Sequence, residues 1–179
     1  MSHPTDPLHD FDRLREISEL DLTSTEVDEI LQKTTREAAE RMSLPQSVVS
    51  IVLDETMYLL AMHGMTGWIA DARGAPVEWS FCQHTVRDRD VFVVEDAFSN
   101  PRVKDSPLVT LEGLRCYVGV PLISSRGNVL GSFCVAGTEA RSFSPEELDD
   151  LRALAAQAMA RIESRRPSNG AARPNPPLA

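Results

Sequence analysis

A chain of 179 residues, 42% of them hydrophobic, is long enough for one domain with tails and builds a core without metals or disulfides. Eighteen Lys+Arg against 27 Asp+Glu leave a net charge of −9, which repels phosphate backbones and excludes a nucleic-acid surface outside the short basic "RIESRR". Three widely spaced cysteines, Cys82, Cys116 and Cys134, fit neither a secreted disulfide framework nor a Cys-x-x-Cys metal site and read as free thiols.

Asp6 before Pro7 reads as an N-cap and first helical residue, and Leu8, Phe11, Leu14 and Ile17 then form one stripe. Thr23 with Glu26 makes a capping box, Leu22 staples onto Val27, and Val27, Ile30, Leu31, Thr34, Ala38 and Met42 carry the helical period to Pro45. "SVVSIVLD" and "MYLLAMHG", joined at Glu55-Thr56, predict a hairpin. "MTGWIADARGAPVEW" predicts an irregular crossing segment, Ser80 a cap for a short helix through "FCQHTVRD", and "VFVVED" a strand. Residues 97–113, "AFSNPRVKDSPLVTLEG", predict a long loop with a helical turn, of the kind that usually carries function. "LRCYVGVPLIS" and "VLGSFCVAGT" predict a second hairpin about "SRGN". Ser144, Pro145 and Glu147 open a last helix, with Phe143 stapled onto Leu148 and Leu148, Leu151, Ala155, Ala158 and Ile162 as its stripe; the Pro- and Asn-rich end predicts a disordered tail. The expected fold class is therefore α+β, an antiparallel sheet with the terminal helices packed on one face and loops and short helices over the other. The N-terminus lacks the order of a signal peptide and no run reaches ~18 apolar residues, so a cytoplasmic protein with no membrane partner is expected.

"SFCQHTV", "VFVVEDAFSNPRVKDSPLV" and the run from "LRCYVGVPLIS" to "LRALAAQA" resemble the GAF domains of bacterial sensor kinases and phosphatases. The resemblance divides the chain into an N-terminal extension (1–22), the GAF domain (23–164) and a tail (165–179). It implies a five- or six-stranded sheet, a small-molecule pocket under the covering loops, homodimerisation through terminal helices and a signalling partner. It does not name a ligand.

The chemistry-bearing residues are weighed against that resemblance. On a helix Cys82 and His84 project about 200° apart and cannot form a nucleophile and base. Cys82 reads as a small buried wall residue, with a reactive thiol as the alternative. One enzymatic subfamily, the free methionine-(R)-sulfoxide reductases, is implied by resemblance to place its nucleophilic cysteine in the loop before the "LRCYVGVPL" strand, where residues 97–113 hold none. Its acidic residue is also missing from "RCYVG". No tetrapyrrole-type Cys-His pair is present, a haem would need His84 or His63, and "NPRVKDSP" lacks the cyclic-nucleotide pattern, although Arg102 and Lys104 suit an anion. No cofactor and no metal are assigned.

Asp96 and Asn100 read as loop-fixing groups. The expected ligand-binding set is Trp79, Phe81, Cys82, Asp96, Asn100, Arg102, Leu108, Tyr117, Gly119 and Cys134, with Gly119 leaving space over the sheet floor. Which residue of each alternating pair faces the pocket is left open. The function expected is a non-enzymatic sensory or regulatory module that binds a small ligand or senses redox. The alternatives are a thiol-dependent reductase and a structural dimerisation domain with a vestigial pocket.

Overall fold

A computed structural model describes residues 5–22 and 28–166. Asp6 accepts the Leu8 N–H and opens a 3₁₀ turn, Pro7–His9; Asp10 then caps a separate helix, α1 (Phe11–Ser18). This second cap turns the chain and divides the expected stripe. Leu8 packs on one side of the sheet, Ile17 on the other, and Phe11 is 74% exposed. α2 (Glu29–Met42) is capped by Asp28, which accepts from the Ile30 and Leu31 N–H groups; the expected Thr23–Glu26 box and Val27 staple lie outside the described residues. Ile30, assigned to the buried stripe from sequence, points to solvent.

β1 (Gln46–Val52) and β2 (Thr56–His63) form the first expected hairpin. The crossing segment is more ordered than its composition predicts. It holds α3 (Trp68–Ala72) and an edge strand, β3 (Gly74–Pro76), which pairs with Thr56–Tyr58. After a 3₁₀ turn at Val77–Trp79 comes α4 (Cys82–Asp88), where Ser80 Oγ accepts the Cys82 N–H at 3.0 Å, then β4 (Phe92–Val94). Residues 97–113 fold as a 3₁₀ turn and a short helix, α5 (Pro107–Thr110). β5 (Cys116–Ile123) and β6 (Val129–Gly137) make the second hairpin, and α6 (Pro145–Ser164) opens on the reciprocal Ser144–Glu147 capping box.

The sheet runs β3-β2-β1-β6-β5-β4, antiparallel throughout. α2 and α6 cover one face over Val118, Val120, Phe133 and Val135, while α3, α4 and the 97–113 segment cover the other over Tyr117 and Cys134. Strands buried on both faces read as continuous apolar runs, which is why β5 and β6 carry no clean alternation. The fold is thus the expected α+β sheet, with six strands. Leu151, Ala155, Ala158 and Ile162 of α6 are buried against α2 and the sheet. Among the described residues no helix is long and apolar enough to cross a membrane.

The N-terminal segment is built into this body. Arg13 is 3% exposed and donates to the carbonyls of Val52, Leu8 and Pro7, closing strand ends of the sheet. Asp6 pairs with Arg87 of α4, and buried Glu16 accepts from Ser124 and Asn128 in the β5–β6 turn and from Arg166 just past α6. Those donors hold the Glu16 carboxyl below its usual range against the opposing effect of burial, which is the largest influence on it.

Candidate functional site

A cavity of about 210 Å³ lies between the sheet and its α3–α4–α5 cover. Val48 of β1, Leu59 of β2, Tyr117 of β5 and Cys134 and Ala136 of β6 form its floor. Ile69, Phe81 and Cys82 form its walls, and Leu108 and Leu114 stand over it. Exposed Thr66, Glu112 and Thr138 mark the side nearest solvent, whereas Phe81, Cys82 and Tyr117 close the inner end. No Lys, Arg or His is among the described lining residues, and Glu112 is acidic.

The cover is fastened from outside. Ser106 donates to the Trp79 carbonyl at 2.7 Å, and the Trp68 indole donates to Glu112 at 3.4 Å. Arg102 forms a fork on Asp88 at 2.6 and 3.0 Å and lies 4.8 Å over the Phe92 ring. Paired in this way, Arg102 joins the loop to α4 and is spoken for as an anion ligand. His84 sits beside it on the outer side of α4; burial, then the Arg102 charge, lowers its pKa to about 4, so it is neutral at pH 7.

The inner end is a cluster of thiols and hydroxyls. The Tyr117 hydroxyl donates to Cys82 Sγ at 3.3 Å and lies 3.2 Å from Ser132 Oγ. The Ser50 hydroxyl donates to the Ser132 carbonyl at 3.1 Å, and Ser80 donates to Met57 Sδ. Thr85 Oγ1 is buried with no hydrogen-bond partner among the described residues. Cys82 of α4 and Cys134 of β6 both line this cavity. The hydrogen bond from Cys134, aided by the Tyr117 hydroxyl, lowers the Cys82 thiol to about 6 against burial. The same bond, with burial, holds Cys134 protonated well above its usual range, and burial raises Tyr117 likewise. Cys116 faces away, near Leu44, and is raised by burial.

Of the ten residues expected at the site, Phe81, Cys82, Leu108, Tyr117 and Cys134 line this cavity. Trp79, Asp96, Asn100, Arg102 and Gly119 do not. Trp79 packs edge-on against Trp68 at 5.4 Å. Asp96 caps the turn at Ala97–Ser99 and pairs with Arg115, and Asn100 accepts the Arg102 N–H, so both fix the loop. Gly119 corrects a specific expectation. A Cβ there would lie 2.2 Å from Tyr117 Oη and 2.7 Å from both Ser132 Oγ and Thr85 Oγ1, so the space above it is already filled. Sequence reasoning missed Val48, Leu59, Ile69, Leu114 and Ala136. Ile69 was the most legible of these, as one of only two branched aliphatic side chains, with Val77, in the crossing segment.

The GAF domain family model matches residues 24–163. A cyclic di-GMP phosphodiesterase of Pseudomonas aeruginosa is 30% identical over 171 residues, covering 94% of this chain; the chain spans 28% of that relative's length. The GAF domain of an Acinetobacter phosphoenolpyruvate-protein phosphotransferase superposes with TM-score 0.64 at 19% identity, over 92% of this chain and 96% of that one. A free methionine-R-sulfoxide reductase from Neisseria meningitidis, solved with its substrate, superposes with TM-score 0.62 at 18% identity, over 80% and 83%. Identities this low establish shared fold alone, but the family match spans the sheet, its cover and both long helices: the chain belongs to the GAF domain family.

Proposed function

We propose that this domain is a non-enzymatic sensor that holds a small, uncharged ligand in the cavity between α4 and the sheet. The observation that carries this is the cavity itself, apolar along its walls and polar at one end, with no cation among its described lining residues. Its volume of about 210 Å³ falls below the ~300–1,000 Å³ of clefts for drug-sized ligands. A bis-phosphorylated nucleotide such as cyclic di-GMP exceeds it in size and finds no counter-charge there, so that relative's named substrate does not suit this site.

The N-terminal segment supplies a contiguous route outward. It bonds α4 through Asp6–Arg87 and the end of α6 through Glu16–Arg166. A ligand that repositions α4 therefore acts on the terminal helices, through which a homodimer or a signalling partner would be engaged. Exposed Phe11 and Ile30 offer apolar contacts on those helices.

A thermal-shift screen of the reduced protein against small neutral metabolites is expected to find a raised midpoint. A ligand binding only the folded state stabilises it by roughly 2.7 kcal/mol at a hundredfold excess over its dissociation constant. Cyclic di-GMP is expected to give no shift; a shift with it alone would refute the neutral-ligand assignment.

Catalysis of the reductase type is not proposed, because residues 97–113 hold no cysteine. Incubation with free methionine-(R)-sulfoxide and dithiothreitol is expected to leave the sulfoxide unconsumed. Turnover lost in Cys82→Ser would overturn this.

A further inference from the structure

We propose that Cys82 and Cys134 form a peroxide-sensitive dithiol at the inner end of the cavity, closing to a disulfide that ties α4 to β6. The site rests on the cavity reading in one respect, that the cavity admits a small solute. Three observations carry it. Both side chains line the same cavity, so a solute inside it meets both sulfurs. α4 packs directly on β6, so the two thiols, both free, are carried into one cavity by elements in contact with each other. Tyr117 Oη, 3.3 Å from Cys82 Sγ, is a donor aimed at the sulfur that would carry the charge.

The two thiols are not equivalent. Cys82 Sγ accepts the Tyr117 O–H, which stabilises a thiolate there, and the Cys82 thiol is lowered while that of Cys134 is raised; Cys82 is thus the attacking sulfur and Cys134 the resolving one. Cys116 lies on the opposite face of the sheet and is outside the cavity lining, so it has no part in this.

The oxidant is a hydroperoxide. The Cys82 thiolate attacks its terminal oxygen; the S–O bond forms as the O–O bond breaks, and the departing alkoxide takes up the proton that Cys82 released and leaves as the alcohol. Cys82 is then a sulfenic acid. The Cys134 sulfur attacks the Cys82 sulfur, the S–S bond forms, and the S–O bond breaks. The hydroxide takes the Cys134 proton and leaves as water. Two thiols have lost two electrons and two protons, and one peroxide has become an alcohol and water. An external dithiol reverses the change.

The consequence for signalling follows from where the bond falls. A disulfide there fixes the first turn of α4 to the sheet and occupies the polar end of the cavity. Arg87, one helical turn and a half further along α4, carries any displacement to Asp6. Oxidation and ligand binding then act on the same element from the same cavity.

The test uses the full chain, reduced, freed of reductant and exposed to a few-fold excess of hydrogen peroxide, with cysteine-containing peptides mapped without reductant. The expected result is loss of two hydrogens from the intact mass and one linked peptide pair, Cys82 to Cys134, that dithiothreitol separates. With Cys134→Ser, dimedone is expected to capture a sulfenic acid at Cys82; with Cys82→Ser, neither linkage nor capture is expected. A linkage through Cys116, sulfinic acid at Cys82 with Cys134 still reduced, or no modification of either thiol would overturn the proposal. The wild-type peptide map decides this without either variant. The ligand reading is judged separately on reduced protein: a retained thermal shift beside a failed disulfide leaves the cavity reading standing and removes only the dithiol.

Discussion

Arg13→Met is expected to lower the unfolding free energy by about 2–5 kcal/mol, because it strips buried carbonyls of the charged donor that satisfies them. The guanidinium is 3% exposed and makes bonds of 2.5 Å to the Val52 carbonyl, 2.7 Å to that of Leu8 and 3.1 Å to that of Pro7. Methionine fills much of the same volume but donates nothing. At least two buried carbonyls are then left unsatisfied, at about 1–3 kcal/mol each. Lysine keeps the charge but has no planar fork, so Arg13→Lys is expected to recover only part of the loss. Urea unfolding of the three proteins measures this directly. A loss under about 1 kcal/mol for Arg13→Met, less than the cost of two unsatisfied carbonyls, would mean that the N-terminal segment is not integral to the fold.

The second large effect is expected at Gly119. Adding a methyl group to glycine in a strand ordinarily stabilises by about 0.4–1 kcal/mol through the unfolded state, so the sign of Gly119→Ala depends on what the new Cβ meets. Ser132 and Thr85 can rotate their hydroxyls away from the 2.7 Å contacts, but the Tyr117 hydroxyl at 2.2 Å ends a rigid ring. That ring is held between Phe81 at 5.3 Å and Phe92 at 6.1 Å, so it has nowhere to retreat. Overpacking of this kind costs about 1–3 kcal/mol, and the thermal midpoint falls by roughly 2–4 °C for each kcal/mol at this chain size. Removing the hydroxyl removes the clash. Tyr117→Phe/Gly119→Ala is therefore expected to be clearly less destabilised than the sum of the two single variants. Additive single effects would show that the contact is not where the cost arises.

Gly119 also shows where sequence legibility ends. A glycine in an apolar strand is equally consistent with an open floor and with a neighbour's side chain filling the gap, and here the hydroxyl of Tyr117, two residues earlier on the same face, fills it. The terminal helix was legible because Ser144, Pro145 and Glu147 specify a helix start by local hydrogen bonding alone. β3 was not, because Gly74, Ala75 and Pro76 have no strand preference and pair only because β2 offers them an edge. The walls contributed by Val48, Leu59 and Ala136 were hidden for another reason. β1, β2 and β6 are apolar on both faces, so alternation assigned no residue to either side. The loop residues Asp96, Asn100 and Arg102 were polar for fastening the cover, and composition alone does not separate that task from ligand contact.

The proposed ligand site between α4 and the sheet is put to the test by filling it. Ala136 lines the cavity floor, and Ala136→Phe places a ring into the void without touching the α2–α6 face. Ala72 lines a separate surface groove beside Trp68 and Arg73, and Ala72→Phe serves as the matched control. With reduced protein and a metabolite that raises the wild-type midpoint, the shift is expected to vanish in Ala136→Phe and to persist in Ala72→Phe, both variants remaining folded in the absence of the metabolite. A shift that survives in Ala136→Phe, or disappears only in Ala72→Phe, would place the ligand elsewhere than between α4 and the sheet.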